Sequence, residues 1–504
     1  MRLDALTHGA ADWAGLRVVV AGLGRSGFAA ADALLERGAR VVVVDAQANA
    51  GTTERREILT ILGADVRLGA EYVNGLAWLA GVAGVAGDRP DLVVTSPGWR
   101  PDQPLLAAAA AAAVPVWGEV ELAWRLRPQT GAAPWLTLTG TNGKTTTVRM
   151  LTSMLRAAGL RAEAAGNVGT PLVEVVQHPE PYDVLAVELS SFQLHWLGSA
   201  ATDRSRSVAA RASAVLNIAP DHIDWHGSLD AYSRAKGEIY QRTEVACIYN
   251  VQDPMTEHFV READVQDGCL ATGFTLGIPS PGMLGVVDDV LADRAFVPHV
   301  HTSAAELGTL ADVQGDAPTL APHQVANALA AAALARAHGV SPGAVRDGLR
   351  GFVPDPHRIA HVADVAGVAY VDDSKATNPH AAAAALAAYE RVVWVAGGLL
   401  KGADVEDLVR TNASRLRAAV LLGHDRAVIS QAIARHAPDV PVVVVDSAET
   451  GVMDHVVQLA ATLAEPGDTV LLSPAAASMD MFADYHERGE EFAAAVRRLA
   501  RAGR

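Results

Sequence analysis

The chain has 504 residues, half of them hydrophobic, with 41 Lys and Arg against 57 Asp and Glu and a net charge of −16. That length exceeds one hydrophobic core and predicts roughly three domains. With no basic tail or arginine stripe, the acidic balance excludes nucleic acid or an anionic membrane as the main partner. Cys247 and Cys269 lack metal-like spacing, and the N-terminus has no positive segment followed by an apolar one. The longest apolar run, 105–117, is mostly alanine, is broken by Pro115 and is too short to span a bilayer. These features predict a cytoplasmic protein without disulfides, in which 105–117 forms a domain helix.

Along the chain, short β-branched runs alternate with alanine-rich stretches, the pattern of an α/β protein whose parallel sheets are covered by helices. Strands are expected at 16–20, 41–45 and 91–95 in a first unit, and at 135–139, 184–189 and 214–218 in a second. A third has them at 368–372, 392–396, 418–422, 440–445 and 469–472. Pro and Gly interrupt the periodicity near 127–134 and 353–356, so the units read as 1–127, 128–354 and 355–504. The stretches 198–213 and 251–322 read as irregular surface insertions on the middle unit.

The first unit opens with Gly22-Leu23-Gly24-Arg25-Ser26-Gly27 between a strand and a helix, and its second strand ends in Asp45. Glycines there let backbone approach a diphosphate at a helix N-terminus, and the acid can accept from a ribose or base. This pattern leaves NAD, a UDP-sugar or a ligand-free turn open. A second turn, Ser96-Pro97-Gly98, closes the third strand.

The second unit carries Gly140-Thr141-Asn142-Gly143-Lys144-Thr145-Thr146 after a strand, with Leu138 where the first glycine of the usual phosphate loop stands. A tighter variant of that loop still wraps phosphates with its amides and the Lys144 ammonium, and turns a threonine hydroxyl toward Mg²⁺. Glu188 closes an apolar strand beside it. Asp221-His222-Ile223-Asp224-Trp225-His226 follows the next strand. Alone it suggests zinc, but a phosphate site prefers Mg²⁺ and oxygen ligands. Lys236 lies on a helix expected from about residue 228; an ammonium there would repel the metal, whereas its carbamate would be an anionic oxygen ligand. Only four of the 41 basic residues are lysines: Lys144, Lys236, Lys375 and Lys401. A chain this poor in lysine should keep it where a compact or modifiable amine is needed.

The phosphate loop, Gly166-Asn167-Val168-Gly169, the run Glu188 to Gln193, Asp221-His222, Lys236, the segment His323 to Asn327, His357-Arg358 and Asp373-Ser374-Lys375-Ala376-Thr377-Asn378 together resemble the Mur ligases. The last motif, the glycine-rich loop at Lys401 and Ser473-Pro474-Ala475 with Ser478 resemble the D-glutamate-adding branch. The resemblance implies an N-terminal Rossmann-like UDP-binding domain, a central P-loop ATPase-like domain with a parallel or mixed sheet, and a C-terminal Rossmann-like domain. It further implies that ATP converts the carboxylate of UDP-N-acetylmuramoyl-L-alanine to an acyl phosphate, which the D-glutamate amine attacks, with two Mg²⁺ ions present. By the same resemblance Lys144, His222, Lys236 and Lys375 are catalytic, while Thr145, Glu188, His222 and carbamylated Lys236 hold metal. Residues Gly140 to Thr146, Gln324, Asn327, Arg358 and Asp373 would take ATP. Gly22, Gly24, Arg25, Ser26, Asp45, Gly98, Asn167 and Ser190 would take the UDP-substrate, and Thr377, Lys401, Ser478 and Tyr485 would take D-glutamate. An NAD-dependent oxidoreductase with a fused nucleotide-binding domain is the alternative raised by the first unit, although no catalytic His or Tyr-Lys arrangement accompanies it.

Overall fold

Runs of valine bounded by charge build the first sheet. Arg17–Ala21 and Arg40–Asp45 are buried along nearly their whole length, as parallel strands sandwiched between helices must be. The computed structural model describes residues 2–77, 89–199, 208–315, 320–354, 356–445 and 451–502. In it the first sheet is wholly parallel, in the order Asp65–Leu68, Arg40–Asp45, Arg17–Ala21, Leu92–Thr95, Val116–Gly118. The order reverses beside Arg17–Ala21, so the crevice at that strand's carboxyl end is the expected ligand position. The run 105–117 departs from the single expected helix: Pro104–Ala111 is helical, but Val116–Gly118 forms an edge strand. Pro115 separates the two because it cannot continue a helix.

Among the described residues the second sheet has nine strands, in the order Ala305–Thr309, Val290–Asp293, Met283–Val287, Leu270–Phe274, Ala246–Asn250, Ala212–Val215, Trp135–Thr139, Val184–Glu188, Ala162–Gly166. The last two strands added, Val290–Asp293 and Ala305–Thr309, pair antiparallel and the others parallel. Two expectations are corrected here. The stretch 251–322 is no irregular insertion: its described residues supply the helices Pro254–Glu262 and Leu310–Gln314 and four strands that extend the sheet. The strand placed at 214–218 runs Ala212–Val215 in the sheet's centre, so 212–213 belong to the core rather than to an insertion, while 200–207 lie outside the described residues. Ala212 and Ser213 are fully buried because neighbouring strands flank them on both sides.

The third sheet runs Ala360–Val365, Val368–Asp372, Thr469–Leu472, Val392–Gly397, Leu416–Leu422, Val442–Val444, with only the first pair antiparallel. Its last strand is shorter than the 440–445 read from sequence. Helices start where side chains can take orphan amides: Ser228 accepts from Ala231 N and Asn378 from Ala381 N, each cap being worth about 1 kcal/mol. The alanine-rich helix Pro322–Ala337 is buried from Asn327 to Ala335 and packs on Lys144–Ala157. Small side chains permit that enclosure. No helix among the described residues is long and apolar enough to cross a membrane.

Candidate active site

The strand Trp135–Thr139 is completely buried and delivers the chain to a glycine loop that opens into the helix Lys144–Ala157. Gly143, the residue before that helix, has φ +83°, and a Cβ there would stand 2.3 Å from Asn327 Oδ1. Only glycine fits both demands. Asn217 ties the loop down: its Oδ1 accepts from Asn142 N at 2.8 Å and its Nδ2 donates to Asn142 O at 3.1 Å. Lys144 Nζ donates to Gly140 O and Thr141 O, each at 2.9 Å. Burial lowers its pKa, with the Glu188 and Asp221 carboxylates opposing that shift.

Acids and imidazoles gather at the same edge. Glu188 ends its strand 1 % exposed; Asn167 Nδ2 donates to its Oε1 at 2.9 Å, while Oε2 has no hydrogen-bond partner among the described residues. An orphaned buried carboxylate oxygen is costly unless a cation or donor arrives. His222 sits in the left-handed region at φ 51°, held by Asp221 Oδ1, which accepts from His222 N at 2.9 Å. Burial lowers its pKa, and the charges of Lys144, Lys236 and Lys401 push the same way. Lys236 is 2 % exposed behind the loop, where Nζ donates to Gly140 O at 2.8 Å and Thr139 Oγ1 at 3.3 Å. Burial foremost, and then the Lys144 charge, pull its pKa well below the usual lysine value.

The third unit faces this edge across a cleft of about 350 Å³ lined by Lys144, Glu188 and His222 on one side and by Arg358, Asp373 and Lys375 on the other. Direct hydrogen bonds join the two: Asn378 Nδ2 donates to Asn142 Oδ1 at 3.1 Å, and Asn142 Nδ2 meets His380 Nδ1 at 2.9 Å. Asp373 receives Ser473 Oγ at 2.9 Å and Ile359 N at 3.2 Å, yet burial pushes its carboxyl up to about 7. The Lys375 ammonium lies 5.1 Å from the centre of the Tyr485 ring, a cation–π contact. Arg488, 1 % exposed, fixes the loop from behind by donating to Ser374 Oγ, Ser374 O and Ala476 O.

Of the residues read from sequence, Thr141 to Thr146, Asn167, Glu188, His222, Gln324, Asn327, Arg358, Asp373, Lys375, Thr377 and Tyr485 all line that cleft. Lys236 and Gly140 lie immediately beneath it. Lys401 and Ser478 lie on two adjacent loops, joined by Leu399 N to Ala477 O at 2.8 Å and Ala477 N to Leu399 O at 2.9 Å. Ser190 is held by Gln193 Oε1, which accepts from both its amide and its hydroxyl.

The first-unit residues gather at their own sheet's carboxyl edge, where a Cβ on Gly27 would meet Gly22 O at 1.9 Å, so the two glycines touch. Gly24 precedes the helix Arg25–Glu36. Asp45 accepts Leu23 N at 2.7 Å and Gln47 N at 2.8 Å, so part of its capacity shapes the turn. Ser26 lies in the first turn of the helix Arg25–Glu36, near the buried Glu119 carboxylate, whose Oε1 takes Leu172 N at 2.8 Å. This edge meets the middle unit through Arg25 Nη2 to Gly169 O at 3.0 Å and Trp225 Nε1 to Gly98 O at 3.2 Å. Sequence reading missed Asn217, His380 and Arg488, which position the loops and carry no motif signal of their own.

Two family models match: the Mur ligase middle domain over residues 138–335 and the Mur ligase, glutamate ligase domain over 357–476. Solved structures of UDP-N-acetylmuramate–alanine ligase from Thermotoga maritima (16 % identity, TM-score 0.53, 96 % of this chain and 99 % of that one) and of MurF ligase from the same organism with ADP (16 %, 0.52, 99 % of each) share the fold. In sequence the chain is 58 % identical to the UDP-N-acetylmuramoylalanine–D-glutamate ligase of Streptomyces avermitilis, over 97 % of this chain and 99 % of the relative. It is 44 % identical to that of Mycolicibacterium smegmatis, over 96 % and 97 %. These relatives are ligases and give no support to an oxidoreductase. Near-complete coverage at such identity, with both domain models matched, makes the chain a member of the UDP-N-acetylmuramoylalanine–D-glutamate ligase family within the Mur ligases.

Proposed function

We propose that this chain joins D-glutamate to UDP-N-acetylmuramoyl-L-alanine with conversion of ATP to ADP and phosphate, in the cytoplasm, where charged nucleotide substrates are made and retained. The observation that carries this reading is the 58 % identity, end to end, with a relative bearing that name. In this reading residues 1–127 hold the UDP end, 128–354 hold ATP and 355–504 hold the amino acid.

A free carboxylate does not acylate an amine. ATP supplies a phosphoryl group, the carboxylate becomes an acyl phosphate, and the amine of D-glutamate attacks the acyl carbon to give a tetrahedral species that expels phosphate. Charge stabilisation and alignment do most of the work in such a reaction. Lys144 exchanges its loop carbonyls for phosphate oxygens, and Thr145 and the loop amides flank it. Lys375 and Arg358 approach the same phosphates from the opposite wall. Gln324 and Asn327 offer amides to adenine, and Asp373 accepts from the ribose. Asn167 and Ser190 orient the muramoyl carboxylate, while Thr377, Lys401, Ser478 and Tyr485 surround the D-glutamate carboxylates.

A divalent cation fits these residues, since Glu188 Oε2 is buried without a partner among the described residues and His222 is kept neutral by burial. Glu188, His222, Thr145 and carbamylated Lys236 would hold two Mg²⁺ ions, which when bound neutralise phosphate charge. The depressed basicity of Lys236 supports the carbamate, because the neutral amine is the form that adds CO₂, forming an N–C bond and releasing a proton. The test is release of ADP and phosphate by the purified protein, expected only when UDP-N-acetylmuramoyl-L-alanine, D-glutamate, ATP and Mg²⁺ are all present. Robust turnover with L-glutamate or meso-diaminopimelate in place of D-glutamate overturns the acceptor assignment.

A further inference from the structure

We infer that His357, His486 and Glu490 form a binding site for a zinc-class divalent ion, which straps the helix beginning at Tyr485 to the loop that carries Arg358. Two ligands come from one helix face: His486 and Glu490 are four residues apart in the helix Tyr485–Ala502 and both are exposed. Side chains at that spacing sit one above the other. The third, His357, comes from the segment before the third sheet and is 3 % exposed. Its approach to the helix depends on Gly489, where a Cβ would stand 2.2 Å from His357 Nδ1.

The orientation of His357 is what makes this a ligand rather than a neighbour. Its Nδ1 is 2.6 Å from Asp372 Oδ2, at the end of the strand Val368–Asp372, and Asp372 Oδ1 is itself engaged by Ser374 N at 2.9 Å. A proton shared with that carboxylate leaves Nε2 as the lone pair, the carboxylate–histidine–metal arrangement found behind metal-binding imidazoles. Nε2 is buried with no hydrogen-bond partner among the described residues; Glu490 Oε1 stands 3.5 Å away, and the His486 ring centre lies 4.7 Å from that of His357. One ligand atom from each of the three residues lies within 4.8 Å of the others. Tetrahedral zinc with bonds of about 2.0–2.1 Å needs somewhat closer ligands, and the two exposed side chains are free to supply that movement. Two imidazoles and one carboxylate suit zinc far better than Mg²⁺, which wants six oxygens. A water completes the shell.

The position gives the ion a consequence. Ser374 Oγ donates to Tyr485 O at 2.7 Å and Lys375 N to His357 O at 3.2 Å, so both metal-bearing segments already touch the lysine loop. An ion between them fixes Tyr485 and Arg358 relative to each other. The rival occupant of the same space is a proton on Nε2, bridging Asp372 and Glu490.

The experiment titrates the chelator-stripped full chain with ZnCl₂ alone, without nucleotide, by calorimetry, and follows melting temperature with and without zinc. One zinc per chain that depends on His486 and Glu490 is expected, beyond any held at Glu188 and His222, with a rise in melting temperature that depends on the same two residues. Both His486→Ala and Glu490→Gln should weaken binding at least ~10-fold and abolish the rise, while melting as wild type without zinc. Absence of saturable binding in the wild type overturns the proposal in favour of the proton. Binding unchanged in both helix variants also overturns it. Because no nucleotide or amino acid is present, either result leaves the ligase reading untouched.

Discussion

Replacing Gly143 by alanine separates what the glycine loop does for stability from what it does for ATP. At φ +83° an L side chain costs about 1–2 kcal/mol. For a domain of this size that lowers the melting temperature by about 2–8 °C. The new Cβ would also lie 2.3 Å from Asn327 Oδ1 and 3.2 Å from its Nδ2, so the amide must retreat by roughly 1 Å to reach ordinary contact. A misplacement of that order at a reacting site costs about 100-fold. Calorimetry without ligand and ADP release at varied ATP measure the two effects, and kcat/KM for ATP should fall about 100-fold while the protein still folds. Gly343→Ala is the control, since it lies in the helix Pro342–Arg350 away from the cleft, has no positive φ, and no described atom outside its own helix lies within 4 Å of the added carbon. In an Asn327→Ala background the clash disappears, so the second substitution should cost much less than in the wild type. Retention of kcat/KM within about threefold in Gly143→Ala, or strict additivity with Asn327→Ala, would refute the reasoning.

Lys236→Arg should be as damaging as Lys236→Ala, because a guanidinium cannot become a carbamate; acetate or formate should restore the alanine variant alone, and an active arginine variant would end the carbamate reading. Asp373, raised to about 7 in the fold against 3.8 unfolded, binds more protons folded than unfolded between those values, so ligand-free stability should fall as pH rises from about 4 to 7. Asp373→Asn should flatten that decline in thermal melts; an unchanged slope would refute the shift. Arg488→Met removes three hydrogen bonds from a site 1 % exposed and leaves carbonyls buried without donors. Denaturant titration should show a loss of at least ~2 kcal/mol, and a loss under ~0.5 would show those bonds to be dispensable.

What was legible in the sequence follows the physics of each element. Arg40–Asp45 and Val392–Gly397 are continuous β-branched or aromatic runs because helices cover both faces, and such runs read as strands. Ala162–Gly166 and Ala212–Val215 are equally strands but are mostly alanine, with one β-branched residue, Val215, between them, so tertiary pairing and not propensity makes them extended. The strands between 270 and 309 are four or five residues long with glycine inside several, too short for alternation to register. In the cleft, Gly143, Lys144 and Glu188 were readable because phosphate and metal chemistry demands those types at a strand end. His380 was not, since its partner Asn142 lies 238 residues away and nothing local distinguishes it.

The scarcity of lysine acquires a physical cause at Gly140. Its carbonyl receives both Lys144 Nζ at 2.9 Å and Lys236 Nζ at 2.8 Å, and two ammonium groups converging on one buried oxygen repel each other strongly. One must give up its charge. Lys236 is the one placed to yield: among the described residues its ammonium meets only the Thr139 hydroxyl, the Gly140 carbonyl and the Tyr232 ring 4.9 Å away, and the Lys144 charge adds to burial in lowering its pKa, whereas Lys144 opens on the cleft. Arginine at 236 would bring a fixed charge and five donors into a pocket with two acceptors. Converting Lys236 to the proposed carbamate turns the repulsion into attraction for Lys144 and for any cation at Glu188. An arriving phosphate then needs only to take Lys144 from two carbonyls, a trade of neutral acceptors for anionic ones that strengthens each bond.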